Sequence, residues 1–240
     1  MNVALIGYGK MGKTLERLLK EKNHTVVGIV DFENSNRIEE NLEEADVAIE
    51  FSTPKTAYNN IAVCIRNNVP VVSGTTGWLD QIDDIKKLVT EHEGAFFYAS
   101  NYSIGVNIFF EVNRYLAQLM NQFPQYDVLM EEVHHTEKKD SPSGTAITIA
   151  EGILSNIDKK SNWKENAIPK SDTLPIYAKR IGKVFGDHEV QYHNEVDTLK
   201  ISHKAFGREG FAHGAISAAE WLLDKKGVFG MNDMLGLSEK

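Results

Sequence analysis

The sequence predicts an α/β protein with an N-terminal Rossmann-type parallel sheet and a second α+β domain built on an open mixed sheet. Three observations support this fold class. Short apolar runs alternate with helical patterns up to about residue 102, and a glycine-rich turn follows the first run. Beyond residue 104, strand-like segments follow one another with few helices between them. The predicted domains are residues 1–102 with 209–240, and residues 103–208.

The first half shows the alternation of strands and helices that a parallel sheet requires. The acidic stretch 32–44 has little apolar periodicity, and we expect a loop with a short helix there. The candidate strands are residues 3–6, 26–30, 47–51, 70–73 and 95–98, and the candidate helices are residues 11–21, 55–67 and 81–91.

The glycine-rich turn has the spacing of a dinucleotide-binding loop. Its glycines allow a tight turn, close approach of the backbone to a diphosphate, and close contact between helix and strand. The second strand ends at Asp31, where a carboxylate can accept hydrogen bonds from an adenosine ribose. The first strand, the spacing of the glycines and the acidic residue after the second strand together predict a nucleotide site. Its residues are Gly7, Gly9, Lys10, Met11, Gly12 and Asp31.

The second half is predicted to be richer in strands. We expect one face of its sheet to be covered, and partner subunits are a plausible cover. A final amphipathic helix over 214–223 is expected to return to the first domain, and the polar stretch 158–172 is expected to be a surface loop. The other candidates are a long helix over 105–122 and strands over 127–135, 181–185, 189–194 and 198–203.

The stretch 131–146, EEVHHTEKKDSPSGTA, holds the densest group of chemically active residues in the chain. A strand is expected to approach it, and Ser143 is a good N-cap for a helix that follows. The N–H groups of Gly144 and Thr145 would then face an anion at a helix start. Lys138 stands just ahead of that start. The pattern predicts a site that holds a carboxylate or phosphate beside a proton donor.

Purely structural explanations remain open for several of these residues. Consecutive histidines on a strand point to opposite faces, so His134 and His135 are not expected to share a metal ion. No cysteine or clustered carboxylate completes a zinc-like set, and no metal is predicted. A buried, hydrogen-bonded role is an equal alternative for whichever histidine faces away from the cleft. Lys139 is taken as a surface residue, and capping alone would explain Ser143.

Bulk properties exclude several classes of protein. The formal charge of −8 argues against sequence-independent binding of nucleic acid, which needs a basic face. Cys64 is the single cysteine, so an intrachain disulfide is excluded and a reducing compartment is expected. The chain has no apolar run near the roughly 20 residues that span a bilayer and no recognisable signal peptide. We therefore expect a cytoplasmic protein without a membrane partner.

Five ordered motifs resemble one enzyme family. The run E-x-H-H-x-x-K-x-D-x-P-S-G-T is matched at every specified position from Glu132 to Thr145. Four others are FSTP at 51–54, GTTG at 74–77, SNYSIGVN at 100–107 and REGFAHG at 208–214. Over nearly its whole length the chain resembles 4-hydroxy-tetrahydrodipicolinate reductase, also called dihydrodipicolinate reductase. The stretch 32–44 is shorter than is usual in that family.

The resemblance implies an NAD(P)H-dependent reductase of the diaminopimelate–lysine pathway, acting on a cyclic imine dicarboxylate by hydride transfer to ring C4. His134 would be the proton donor, directly or through water, and Lys138 would contact a carboxylate or assist the proton. An imidazole suits this role because its ordinary pKa is about 6.5. The implied substrate-binding residues are His135, Ser143, Gly144, Thr145 and Arg208. Arg208 lying at the domain hinge is an alternative, and Arg180 is a weaker candidate.

For the cofactor, the resemblance implies contacts from loops that follow strand ends. Asp31 favours NADH because a 2′-phosphate would be repelled by a carboxylate, although Lys10 can partly compensate, so NADH is preferred with NADPH also accepted. The family is usually a homotetramer assembled through its second domain, and closure of the domains over the ligands is expected. The implied cofactor residues are Phe51, Ser52, Thr53, Gly74, Thr75, Thr76, Ser100, Asn101 and Tyr102.

Two other functions compete with this interpretation. One is a different two-domain dehydrogenase, acting on an amino acid or a sugar, against which the HHxxK…PSGT run argues. The other is a nucleotide-sensing protein that has lost catalysis, against which the presence of His134 and Lys138 argues.

Overall fold

The computed structural model describes residues 1–237 and divides the chain into two compact units. The first unit contains Met1–Ile104 and Glu209–Lys240, and the second contains Gly105–Arg208. Within the described residues, no helix combines the length and apolar character needed to cross a membrane.

The strands of both units are short, as the turn-rich sequence predicts. They are β1 (Asn2–Ile6), β2 (Thr25–Val30), β3 (Val47–Glu50), β4 (Val71–Ser73), β5 (Ala95–Tyr98), β6 (Asp127–His134), β7 (Asn162–Glu165), β8 (Thr173–Arg180), β9 (Asp187–His193), β10 (Thr198–Lys204) and β11 (Gly227–Phe229).

The helices carry apolar residues on the faces that they bury. They are α1 (Lys10–Glu21), α2 (Ala57–Arg66), α3 (Ile82–Glu91), α4 (Ile104–Met120), α5 (Gly144–Leu154), α6 (Glu209–Leu222) and α7 (Met231–Leu235). Short 3-10 turns lie at Ser35–Arg37, Glu39–Asn41 and Leu79–Gln81.

The first unit is built on a parallel six-stranded sheet in the order β11-β5-β4-β3-β1-β2. Strand β1 is buried on both faces. Val3 and Leu5 pack in a cluster with α1 and α6, whereas Ala4 and Ile6 pack in a second cluster with α2 and α3. A strand that is covered on both faces needs an unbroken run of apolar residues, and β1 has such a run.

The order of the strands creates a crevice at one edge of this sheet. Because β2 and β3 lie on opposite sides of β1, the direction of winding reverses between β1 and β3. In open parallel sheets, ligands bind beyond the carboxyl ends of the strands at such a reversal. Ile6 at the end of β1 pairs with Glu50 at the end of β3, and Glu50 pairs with Ser73 at the end of β4.

The second unit is built on a mixed five-stranded sheet in the order β10-β9-β6-β8-β7. Strands β6, β7 and β8 run parallel, and β9 is antiparallel to both β6 and β10. Along β6, buried and half-buried residues alternate. Val128 and Met130 pack against Phe109 of α4 and Ile149 of α5, so helices cover one face of the sheet.

The predicted fold class is confirmed, and the differences lie in the second half of the chain. Residues 181–185 were expected to form a strand, but they form a turn in which Gly182 has a φ of 48°. The strand of this region is β8, and Pro175 inside it argues against a strand in the sequence. The expected loop 158–172 contains β7, which pairs with β8.

Smaller differences occur near the C-terminus. Helix α6 begins at Glu209, earlier than the predicted start at residue 214, and β11 and α7 were not predicted. The stretch 32–44 holds two short 3-10 turns, which confirms the expected loop and short helix.

Candidate active site

Strand β6 places two functional side chains in the interior of the second unit. Its buried positions fall at every second residue, and Glu132 and His134 occupy the last two of them. Glu132 is fully buried and His134 is 7% exposed. His135, just beyond the strand, is half-buried, so the two consecutive histidines differ in their surroundings, as their opposite faces predict.

The carboxylate of Glu132 is the centre of a charged cluster. Its Oε2 lies 3.3 Å from Nδ1 of His134 and 3.8 Å from Nε2 of His188, which comes from β9. Its Oε1 accepts a hydrogen bond from Nη2 of Arg180, at the end of β8, at 3.1 Å. His134 Nδ1 has no well-aligned hydrogen bond, so its contact with Glu132 is mainly electrostatic.

The surroundings hold Glu132 ionised and His188 neutral at neutral pH. Burial alone raises the pKa of Glu132, but its contacts with His134 and Ser143 outweigh burial and lower this pKa to about 2. Burial, followed by the influence of His134, lowers the pKa of His188 to about 4. Glu132 is therefore the counter-charge of this cluster, while His188 contributes a neutral ring.

Lys138 lies in the loop after β6 and is bound to a neighbouring carboxylate. Its Nζ donates to both carboxylate oxygens of Asp140, at 2.9 and 2.8 Å. This ion pair lowers the pKa of Asp140, chiefly through the hydrogen bond from Lys138. Arg180 donates to the backbone oxygen of Asp140 at 2.7 Å, which ties the loop to β8. A second carboxylate that reaches Lys138 would share its ammonium group with the exposed Asp140 or replace it.

Helix α5 starts beside the same cluster. The hydroxyl of Ser143 accepts from the N–H of Ala146 at 3.1 Å, which confirms the predicted N-cap. The N–H of Ser143 donates to both oxygens of Glu132, at 3.1 and 3.2 Å. Gly144 is exposed at the first helical position, and a Cβ placed there would meet nothing within 4 Å. The carboxylate of Glu132 therefore lies at the positive end of the helix, and the space beside Gly144 is open.

The second unit thus brings together most of the predicted substrate residues. His134 and the α5 start contact Glu132, and Lys138 is linked to it through Asp140 and Arg180. Arg208 is exposed at the end of this unit, and no contact in residues 1–237 places it in that cluster. The predicted roles of Arg208 and His135 stay predictions. Chemically, a buried imidazole with a counter-charge, beside a lysine and a helix start, can bind a carboxylate and deliver a proton.

Sequence reasoning missed three members of the cluster. Glu132 was part of the matched motif but received no role, although its spacing of two from His134 on a strand indicates a shared face. His188 was not identified, and Arg180 was ranked low, because the pairing of β6 with β8 and β9 brings both into place. No local pattern in the sequence reveals that pairing.

The sequence argument that no clustered carboxylate completes a zinc-like set overlooked Glu132 and His188. Glu132, His134 and His188 offer ligand atoms that all lie within 4.8 Å of one another. The oxygens of Glu132 are already shared by Arg180 and by the N–H of Ser143. A cation nearby would meet the positive charge of Arg180, and the expectation that this site works without a metal stays a prediction.

In the first unit, glycines allow three loops to meet at the crevice. Gly7 has a φ of 95°, and a Cβ there would lie 2.1 Å from the backbone oxygen of Phe51. A Cβ on Gly12 would lie 2.3 Å from the oxygen of Gly7. Gly74 contacts the ring of Phe51 so closely that a Cβ would lie 2.1 Å from it. Only glycine fits these positions.

The start of α1 fits a dinucleotide diphosphate. A Cβ on Gly9, its N-cap, would meet nothing within 4 Å, and the first turn of the helix carries no acidic residue. Lys10 is exposed there and Met11 half-buried. Asp31 follows β2 and is exposed, and its Oδ1 accepts from the N–H of Glu33 at 2.9 Å. The helix dipole and the open space at the start of α1 suit the diphosphate, and the carboxylate of Asp31 suits the adenosine ribose.

The loops after β3, β4 and β5 hold the remaining predicted cofactor residues. Tyr102 is buried and its hydroxyl donates to the backbone oxygen of Ser73 at 2.7 Å, so it supports the β4 loop from within. The hydroxyl of Thr53 contacts that of Thr56 at 2.9 Å. Thr75 is buried. Their predicted contacts with a cofactor are not tested by this geometry. The others of this set are half-buried or exposed: Phe51, Ser52, Gly74, Thr76, Ser100 and Asn101.

Comparison with known families agrees with the two units. The family model described as dihydrodipicolinate reductase, N-terminus, matches residues 1–102, and that described as dihydrodipicolinate reductase, C-terminus, matches residues 105–235. The chain is 47% identical to 4-hydroxy-tetrahydrodipicolinate reductase of Christiangramia forsetii, with 98% of each chain covered. It is 33% identical to the protein of that name from Methanoregula boonei, with 96% of each covered.

Solved structures show how widely the fold is shared. A dipicolinate-bound dihydrodipicolinate reductase from Paenisporosarcina sp. matches with a TM-score of 0.79 and 23% identity, covering 97% of this chain and 98% of the other. An amine dehydrogenase from Mycobacterium smegmatis matches with a TM-score of 0.59 and 9% identity, covering 95% and 94%. The fold therefore does not choose between dehydrogenases, whereas the sequence matches do.

Proposed function

Because the chain belongs to the dihydrodipicolinate reductase family, we propose that it reduces 4-hydroxy-tetrahydrodipicolinate to tetrahydrodipicolinate with NAD(P)H, in diaminopimelate and lysine biosynthesis. The observation that carries this proposal for the chain itself is the buried Glu132–His134 pair beside Lys138 and the start of α5. This arrangement supplies both an anion site and a proton donor.

The substrate is a dianion, so the second unit must bind a carboxylate against the net charge of the chain. Lys138 exchanges Asp140 for the substrate carboxylate, and His135 with the backbone of Gly144 and Thr145 completes the site. A charge-assisted hydrogen bond of this kind contributes about 1.5–3 kcal/mol. The helix start adds a favourable dipole for the same anion.

A reduced nicotinamide held by the first unit would supply the hydride for ring C4 of the conjugated imine, whose ring nitrogen would take up the electron density. His134 then delivers a proton to the neighbouring carbon, directly or through one water. Glu132 stays ionised and compensates the positive charge of the imidazolium before the proton leaves. If the hydroxylated ring enters the site, it must first lose the hydroxyl at C4 and a proton from the neighbouring carbon as water, and these roles then apply to the conjugated imine that results.

We infer that NADH is the preferred cofactor and that NADPH is also accepted. Asp31 is exposed at the carboxyl end of β2, where an adenosine ribose lies in this type of site. Its carboxylate accepts from two ribose hydroxyls but repels a 2′-phosphate. Lys10 at the start of α1 offsets part of that repulsion.

We also propose that the protein is a cytoplasmic homotetramer assembled through the second unit. Helices cover one face of the five-stranded sheet, and the residues of its edge strand β10 are all exposed or half-buried. Light scattering coupled to size-exclusion chromatography tests the assembly, and a monomer at working concentration contradicts it.

The test of the function is oxidation of NADH and NADPH, with the substrate generated by the upstream aldolase reaction from pyruvate and aspartate semialdehyde. Rapid substrate-dependent oxidation supports the proposal. His134→Gln should lower kcat on the order of a hundredfold if the imidazole is the acid. NADH binding without turnover in the wild type contradicts the proposal and favours a nucleotide sensor, and near-normal kcat in the variant removes the role of His134.

A further inference from the structure

A buried acid lies beneath the crevice of the first unit. Glu50 ends β3 and is fully buried, between Ile6 of β1 and Ser73 of β4 in the sheet register. Its carboxylate does not point into a cluster of cations. In the described part of the chain, every hydrogen-bond donor that reaches it is a neutral hydroxyl or a backbone N–H.

The donors come from both loops that border the crevice. Oε1 accepts from the N–H of Ser52 at 2.9 Å, from the hydroxyl of Ser52, and from the hydroxyl of Thr75 at 2.9 Å. Oε2 accepts from the hydroxyl of Ser73 at 2.6 Å. Ser52 belongs to the loop after β3 and Thr75 to the loop after β4. One carboxylate thus joins the two loops.

The same contacts determine what the loops can offer a ligand. The N–H of Ser52 is shared between Glu50 and Oγ1 of Thr75, at 2.9 Å each. The hydroxyl of Ser52 donates to Glu50 and accepts from Nδ2 of Asn60 at 3.1 Å. Both donors of Ser52 and the hydroxyl proton of Thr75 therefore point inward. These groups have no proton left for a diphosphate.

Burying the carboxylate of Glu50 without a cation costs desolvation free energy. A buried carboxylate without a cation needs several hydrogen bonds to offset its desolvation.

With the adenosine ribose at Asp31 after β2, the loops after β3 and β4, on the other side of β1, would face the nicotinamide half of the cofactor. We propose that Glu50 is the positioning residue of this nicotinamide side. It holds the β3 and β4 loops in one arrangement and turns the donors of Ser52 and Thr75 inward. Ser52 then acts through the shape of its loop rather than by donating to the cofactor. This inference rests on the proposed use of NAD(P)H by the first unit, and it adds a residue that touches neither the cofactor nor the substrate.

The test compares two ligands in the full-length protein. NADH fills the whole site, whereas ADP-ribose lacks the nicotinamide ring and reports the diphosphate and adenosine side. In Glu50→Ala, the dissociation constant of NADH should rise at least about tenfold, while that of ADP-ribose stays within about threefold. Circular dichroism verifies folding, and Glu44→Ala, an exposed acid before β3, controls for the lost charge.

Glu50→Gln should restore NADH binding to within about threefold of the wild type. Its amide oxygen can take the three donors at the Oε1 position, and its NH₂ then faces the hydroxyl of Ser73, which can rotate to accept. If Glu50→Ala fails to fold, Thr75→Val removes one of the joining hydroxyls instead. This variant should also weaken the binding of NADH more than that of ADP-ribose.

Three outcomes separate the possibilities. Selective loss of NADH affinity in Glu50→Ala or Thr75→Val, with rescue in Glu50→Gln, supports the inference. Equal weakening of NADH and ADP-ribose, or unchanged NADH binding, overturns it while the proposed function stands. A wild type that binds neither NADH nor NADPH overturns the proposed function and this inference with it.

Discussion

Oε2 of Glu132 lies 3.3 Å from Nδ1 of His134, two positions further along β6 and inside the second unit. A carboxylate in that place compensates the charge of an imidazolium and limits its rotation. The same carboxylate receives Arg180 and the N–H of Ser143, so one residue links the proton donor, β8 and the start of α5.

The first prediction concerns the counter-charge itself. Glu132→Gln should lower kcat about tenfold to a hundredfold, because the protonated His134 loses its compensating charge. The Michaelis constant for NADH should stay within about twofold, since Glu132 belongs to the second unit. Glu131→Gln is the matched control: Glu131 is the preceding acid, and it pairs with Lys179 instead. Equal losses in both variants would refute a specific role for Glu132.

Lys138 and Lys139 are adjacent lysines with different predicted roles. Lys138→Ala should lower kcat/KM for the substrate by about tenfold to a hundredfold, because a charge-assisted contact with a carboxylate is lost. Lys139 is exposed, and Lys139→Ala should stay within about twofold of the wild type. Steady-state kinetics at saturating NADH measures both. An unaffected Lys138→Ala would remove this residue from the substrate site.

Cofactor preference should depend on the charge of Asp31. Asp31→Asn keeps an oxygen that can accept from the N–H of Glu33 but removes the charge that repels a 2′-phosphate. The ratio of kcat/KM for NADPH to that for NADH should rise about tenfold. Glu44→Gln changes the net charge equally and should leave the ratio unchanged. A wild type that strongly prefers NADPH would contradict the assignment at the outset.

Two glycines of the α1 loop should respond differently to alanine. Gly7→Ala places a methyl 2.1 Å from the oxygen of Phe51 at a φ of 95°, and it should destabilise the protein by more than about 1 kcal/mol. Gly9→Ala meets no atom within 4 Å, so stability should change by less than about 1 kcal/mol. The added methyl should nevertheless weaken the binding of NADH, because it occupies the space predicted for the diphosphate. Urea unfolding and NADH titration distinguish these effects; similar stability losses would contradict them.

Acid should destabilise the protein in two steps. Burial and the neighbouring His134 lower the pKa of His188 from its ordinary value of 6.5 to about 4, so between these pH values the unfolded chain binds a proton that the folded chain does not bind. Stability should fall between those two pH values by a few kcal/mol. The pKa of Glu132 is lowered from 4.5 to about 2, and its contribution is lost as the pH falls through that range.

Urea unfolding at a series of pH values measures this dependence. His188→Gln should flatten the profile from pH 6.5 to about 4, because the group that binds the extra proton in the unfolded chain is absent. His213→Gln, which replaces an exposed histidine of α6, should leave the profile as in the wild type. An unchanged profile in His188→Gln would show that other groups cause the acid sensitivity.

Much of the first unit was predictable because its signals are local. The apolar run of β1, the glycines after it and Asp31 at the end of β2 follow from strand periodicity and backbone geometry. Helix α5 was predictable for the same reason, since Ser143 caps it through a bond between near neighbours in the sequence. Most errors lie in the second half: β8 was missed because Pro175 argues against a strand, residues 181–185 were predicted to be a strand, and β7 lies in the expected loop.

The sequence by itself determined the fold class, the family and the short motifs whose residues are close along the chain. Tertiary structure alone decided that His188 and Arg180 join Glu132, and that Glu50 joins Ser52 to Thr75. The physical reason is that strand order and register are set by the packing of whole faces against a core, not by the local pattern of one strand. Contacts between side chains on neighbouring strands exist only after that register is chosen.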